Sequence, residues 1–281
     1  MARYDFPDDA WALIYPMLPT ERGAPKGGRP YLEHRQVMNG IFWVLCSGAP
    51  WRDLPERYGH WKTIYNRFNR WSKMGIINSI FNKLLFILDE NGLVGWDAIA
   101  LDGSNIRALK AAAGAKKKHP DELDEHGLGR SRGGFGTKVH LATDSTGLPL
   151  SLFLSGGQSH ESRYAETLLN RVGVIRRNGH LKCRPKAVLA DKGYSSQSLR
   201  HHLKIKGIKA VIPFKSNEKA SRDGRRKLNV RLYKKRNVVE RCFAILKENR
   251  RIATRSEKTA RNYLSMLKLG AIRLFLRRLL S

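Results

Sequence analysis

The sequence predicts an α/β protein, with helices laid on a mixed sheet behind a wholly helical N-terminal region, and three observations predict it. Up to about Leu88 the apolar residues recur at helical spacing. From about Asn91 they gather instead into short β-rich runs separated by glycine and charge. These runs come strands first, then a helix, another strand and a helix, which is the order of a layered α/β fold. The expected organisation is a helical region over residues 1–90 and a second domain over 91–281.

The first region reads as "DDAWALIYPML", "LEHRQVMNGIFWVLC", a proline-marked turn "SGAPWRDLPERYG", then "HWKTIYNRFNRWSKMG" and "INSIFNKLLFIL". In the fourth stretch Trp61, Ile64, Phe68 and Trp71 form an apolar stripe, and Lys62, Asn66, Arg67, Asn69 and Arg70 lie largely off it. A short helix, a turn and a basic helix are the ingredients of a helix-turn-helix, whose second helix enters the major groove. Lys62, Arg67 and Arg70 are therefore the expected DNA contacts, although a plain packing bundle has the same outline. The aromatics read as core. Arg29 in "GGRP" matches a minor-groove arginine, a weak signal on its own.

In the second region "VGWDAIALDGS" reads as a strand ending at Asp102, followed by a basic loop to about Arg132. "TKVHLATDSTGLPLSLFLS" reads as a hairpin about the turn "DSTG". "KAVLADKGYSS" is a buried strand ending at Asp191, "SQSLRHHLKIKG" a helix and "IKAVIPF" a further strand. A polar basic loop, "KSNEKASRDGRRKLN", leads into the helix "LYKKRNVVERCFAILKENRR". The last stretch is an amphipathic helix whose Leu264, Leu267, Ala271, Leu274 and Phe275 fit one buried face.

Composition narrows the function. The 281 residues carry 41% hydrophobic content, enough for a substantial core, and 53 Lys+Arg against 24 Asp+Glu, a net charge of +29. A surplus of that size repels itself unless it meets a polyanion, which favours nucleic acid as partner. No stretch approaches the ~18 apolar residues of a membrane-spanning helix, and the N-terminus lacks the features of a secretory signal. The expected location is the cytoplasm, with no membrane partner. Cys46, Cys183 and Cys242 are far apart, in no zinc-binding pattern, and read as reduced core residues.

The acidic residues are harder to place. At about 100° per residue, Tyr233, Arg236, Glu240 and Lys247 fall within roughly 60° on one helical face. Glu240 reads either as half of an exposed ion pair with Arg236 or as an acid set among phosphate-binding cations. The first reading explains little, because such a pair contributes only about 0.5 kcal/mol and Arg-before-Glu is its weaker order. Asp102 and Asp191 both end apolar strands, each with a glycine close behind it. Asp144 fits the turn it begins and is left out of the site. Three carboxylates brought together would raise one another's pKa. Divalent cations resolve the conflict, since carboxylate oxygens suit Mg²⁺ or Mn²⁺. Two such ions about 4 Å apart serve phosphodiester chemistry.

With these residues in place, the sequence resembles bacterial insertion-sequence transposases of the DDE class, and within them the insertion sequence five branch of the insertion sequence four/five superfamily. The signature is Tyr, two residues, Arg, three residues, Glu, six residues, Lys; Tyr233, Arg236, Glu240 and Lys247 meet it at every position. "LDGSNIRA" and "VLADKGYSS" resemble the first and second Asp motifs, and "GRSRGGFGTKVHLATDSTGLPL", "GGQSHES" and "ERYGHWKTIYNRFNRW" resemble other parts of the branch. The resemblance implies an RNase H-like catalytic domain that cuts and joins double-stranded DNA at the inverted repeats of its own element. It makes Asp102, Asp191 and Glu240 the catalytic, metal-binding triad for Mg²⁺ or Mn²⁺, expected as two ions. It makes Tyr233, Arg236 and Lys247 contacts to the DNA backbone, and it implies a homo-oligomer on DNA. A nuclease of the same fold without joining activity, or a catalytically silent DNA-binding relic or regulator, remains the alternative.

Overall fold

A computed structural model describes residues 3–20, 31–113, 124–215 and 228–281. Arg29, residues 114–123 of the first basic loop and residues 216–227 of the second lie outside the described residues. The N-terminal region is built from α1 (Asp8–Ile14), α2 (His34–Ser47), α3 (Trp61–Lys73) and α4 (Ile76–Glu90). Helix α2 stops at Gly48, whose φ of 72° is a left-handed cap that favours glycine. A Cβ there would also stand 2.7 Å from Cβ of Arg250.

Helix α3 buries Ile64, Phe68 and Trp71 as its spacing predicts, and Trp51 packs 5.3 Å from the Phe68 ring. One expectation fails here. Arg67 is only 2% exposed, hydrogen-bonded to Nδ1 of His34 at 2.9 Å and stacked 3.8 Å over the Tyr31 ring. It follows Ile64 by three residues and precedes Trp71 by four, so it belongs to the buried stripe and is not a DNA contact in this structure. Lys62 and Arg70 are exposed.

The sheet is formed by β1 (Ala98–Arg107), β2 (Gly129–Ser131), β3 (Gly134–Thr143), β4 (Pro149–Gly156), β7 (Ala187–Leu189) and β8 (Lys209–Val211), while β5 (Val174–Ile175) and β6 (Leu181–Lys182) pair separately. Strands β1, β3 and β4 are antiparallel neighbours, and β2 extends the β3 edge. On the other side of β1, strands β7 and β8 add in parallel. The mixed sheet expected from the order of apolar runs is therefore present. The DSTG turn is held by its own acid: Asp144 accepts from the N–H groups of Thr146, Leu148 and, across a loop, Gly95.

Helix α5 (Ala165–Asn170) packs on β3 and β4 and α6 (Gln197–Ile205) on β8, and α7 (Val230–Lys234), α8 (Asn237–Lys247), α9 (Arg250–Ala253) and α10 (Ala260–Leu279) follow. Helix α10 is more deeply buried than a single face would require. Besides Leu267, Ala271 and Phe275 it buries Tyr263, Met266, Leu269, Ile272 and Leu276, while Leu264 and Leu274 are only partly covered. It lies against α4 on one side, with Phe275 5.1 Å from Phe81, and against β4 on another. The helical region and the sheet therefore share one apolar core. Cys46 and Cys242 are buried and reduced, but Cys183 is exposed, because it sits beyond β6 between Lys182 and Arg184.

Where α10 meets α4, Lys268 is bonded to Asn78 and lies 5.9 Å from the Phe81 ring. Burial, with Arg171 nearby, pulls its amine down to about 8. A base whose pKa is lowered on folding is a burden below that value, and the burden lifts as pH rises towards its unfolded value of 10.5. Lys268→Met should therefore stabilise the protein at pH 7 by on the order of 1 kcal/mol and remove the part of the pH 8–10.5 stability slope due to Lys268, as read from urea midpoints across that range.

Candidate active site

Strands β1 and β7 run parallel with Ala98 beside Ala187, Ile99 beside Val188 and Ala100 beside Leu189. Two residues further along that register come Asp102 and Asp191, neighbours on one face. Asp102 does not end its strand as expected. Strand β1 continues to Arg107 because β3 pairs with it throughout, Arg107 lying opposite Gly136. What ends is the parallel side: pairing with β7 stops at Ala100, so Asp102 stands where β1 loses that neighbour. Asp191 caps the turn Lys192–Tyr194 and accepts the Gly193 N–H at 2.9 Å.

Burial pushes the Asp102 carboxyl up to about 6. The Gly103 N–H and the Arg236 guanidinium pull the other way, and the Glu161 and Asp191 carboxylates add to the rise. A carboxylate in such surroundings is poorly placed as a bare anion and well placed beside a cation.

Helix α8 brings the remaining groups. It packs on β1 and β3 through Val238, Val239, Cys242, Phe243 and Leu246, while Ile245 is 37% exposed. At its two ends Arg236 and Lys247 reach back to β1. Arg236 stands 3.8 Å from Asp102 and is also paired with Glu240, so a single guanidinium links the two acids. Lys247 donates to the Ser104 hydroxyl at 2.8 Å, one turn of pleat beyond Asp102 on the same face. The Tyr233 ring lies 6.0 Å from the Arg236 guanidinium. The expected ion pair of Glu240 with Arg236 is present, and through the same guanidinium Glu240 is joined to the strand acid. Lys62 and Arg70 belong to α3 and take no part in this cluster.

Among the described residues, no three His, Cys, Asp or Glu side chains stand at metal-binding spacing. The donor set is nevertheless made of hard carboxylate oxygens, which fit Mg²⁺ or Mn²⁺, and Arg236 occupies the gap between Asp102 and Glu240. Sequence reasoning missed Glu161, which lies on the turn Glu161–Tyr164 with Oε1 3.3 Å from Nζ of Lys138. The available signal was "GGQSHES", in which Glu161 is the only acid.

A mixed sheet thus sets two acids where two parallel strands part, faced by a helix that carries a third acid, a set of oxygen donors of the kind that suits divalent cations. Residues 97–275 match the family model described as transposase DDE domain, and residues 6–81 match that of a putative transposase of the IS4/5 family. The chain belongs to the DDE-domain transposases, with the RNase H-like fold of that class. It is 32% identical over 141 residues to the putative transposase for insertion sequence element IS6501 of Brucella ovis, covering 50% of this chain and 98% of that one. It is 36% identical over 136 residues to the putative transposase for insertion sequence element IS402 of Burkholderia cepacia, covering 48% of this chain and 60% of that one. Among solved structures, a pre-cleavage Mos1 transpososome aligns over 91% of this chain and 81% of that one, at 11% identity and a TM-score of 0.26, too low to add to the topology described above.

Proposed function

We propose that the protein cleaves DNA at the ends of its own insertion sequence and joins the freed 3′ hydroxyl to target DNA, with Asp102, Asp191 and Glu240 as its metal-binding triad. The observation that carries this reading is the Arg236 bridge, which holds Glu240 of α8 against Asp102 of β1 although 138 residues separate them. Mg²⁺ or Mn²⁺, as two ions, would supply activation of the attacking oxygen and stabilisation of the leaving one. The chain's own residues do the rest. Asp102, Asp191 and Glu240 hold the ions. Arg236 exchanges its carboxylate partners for a backbone phosphate, and Tyr233 and Lys247 fix the same strand so that its scissile bond lies in line. Lys62 and Arg70 dock the duplex from the helical region. Two element ends must be cut in concert, which calls for a homo-oligomer on DNA. No described helix is long and apolar enough to cross a membrane, consistent with action on bacterial DNA in the cytoplasm.

Labelled element ends incubated with protein, Mg²⁺ and a target plasmid should yield joined products. Cut ends without joining would instead make the protein a nuclease of this fold, and neither product would leave a DNA-binding relic or regulator. Arg236→Ala should weaken binding to the element end and lower the salt slope of log affinity by about 0.9, the share of one phosphate contact. An unchanged slope would remove Arg236 from the DNA interface.

A further inference from the structure

A second set of groups meets the same site from the opposite face of β1. Glu161 lies against Gly103, where a Cβ would stand 2.8 Å from its Oε1 and 2.9 Å from its Cδ and Cγ. The residue after Asp102 is thus free of a side chain because Glu161 fills that space, close enough for its charge to act on Asp102. Glu161 remains 21% exposed and is held by Lys138, a reversible pairing at 3.3 Å. The third member is Tyr194. It is fully buried, and its hydroxyl has no hydrogen-bond partner among the described residues. The charges that act on it are those of Glu161 first, then Asp102 and Asp191.

An unpartnered buried hydroxyl is destabilising, and phenylalanine would fill the same space without that cost. A donor set among carboxylates, yet bonded to none of them, is placed for an acceptor that moves towards it. Building on the metal-dependent reading above, we propose that Glu161 is a fourth carboxylate of the divalent-ion site and that Tyr194 is its positioning residue. When an ion enters, Glu161 leaves Lys138 and turns towards Asp102 and Asp191, and one of its oxygens accepts the Tyr194 O–H. Lys138 is then free for a DNA phosphate.

The test is Mn²⁺ binding by the full chain, followed by electron paramagnetic resonance and calorimetry, with and without a non-specific duplex. Glu161→Gln should weaken Mn²⁺ binding by roughly tenfold or more. Tyr194→Phe should weaken it by a smaller factor of about three while leaving the melting temperature equal or higher. Lys138→Met should leave it unchanged or tighter, which separates a ligand from a mere partner of Lys138. If Asp191→Asn loses Mn²⁺ while Glu161→Gln and Tyr194→Phe bind as the parent does, the fourth-carboxylate proposal is overturned and the triad stands. If Asp191→Asn also binds as the parent does, or the parent binds no Mn²⁺, both fall. Should Glu161→Gln fail to fold, Glu161→Asp keeps the charge but shortens the reach, and parent-like Mn²⁺ affinity in it and in Tyr194→Phe overturns the proposal equally.

Discussion

Asp191→Asn should leave the protein folded and bound to element-end DNA, yet slow Mg²⁺-dependent cleavage by at least about 10³-fold. The substitution removes a charge and little else. The amide oxygen of Asn can still accept the Gly193 N–H, so the capped turn that follows β7 survives. Asp102→Asn and Glu240→Gln should cost as much activity. For Asp102 the melting temperature of the metal-free protein should not fall, because burial and the Glu161 and Asp191 carboxylates already work against its charge. Gel-shift and single-turnover cleavage measurements separate the two effects. A variant that nicks element ends at the parent rate would remove its residue from the triad.

Glu257→Ala should destabilise the fold by about 3–5 kcal/mol, the cost of leaving a buried charge without its counter-ion. Glu257 accepts from Nε of Arg251 at 2.6 Å, and both side chains are buried. The same guanidinium donates to the carbonyls of Gly48 and Ala49 at the end of α2, so the pair ties the helical region to the segment between α9 and α10. Nearby, the fully buried Arg255 donates to the carbonyls of His126 and Glu257, and its backbone pairs with the end of β1. Urea unfolding measures the loss. The double variant Arg251→Met/Glu257→Leu should recover most of it, since an apolar pair of similar volume avoids the desolvation of both charges. A loss under about 1 kcal/mol in the single variant would show that this junction does not hold the two regions together.

Much of this architecture was legible in the residues. The switch near Asn91 from helical spacing to short β-rich runs falls between α4 and β1, and the acid-bearing runs contain β1 and β7. The spacing of Tyr233, Arg236, Glu240 and Lys247 predicts one face of one helix; the structure breaks that helix between Lys234 and Asn237, leaving Tyr233 on α7, while Arg236 and Lys247 do reach β1. What local pattern did not reveal depends on neighbours remote in the chain. Strand β1 outruns Asp102 because β3 accompanies it. Arg67 is buried because His34 and Tyr31, from outside its helix, receive its guanidinium. Glu161 follows no strand and shares no helical face with another acid, so only the fold brings it under Gly103.

The shared position of α10 fixes a length scale. Because one helix is clamped by α4 on one flank and β4 on another, the exposed cations of α3 and the acid of β1 stand at a constant offset. A duplex gripped at the first would be presented to the second like stock against a workshop stop. The number of base pairs from recognition sequence to nick would then be set by the protein's own dimensions. Inserting half a helical turn of DNA between them would turn the scissile phosphate to the wrong side.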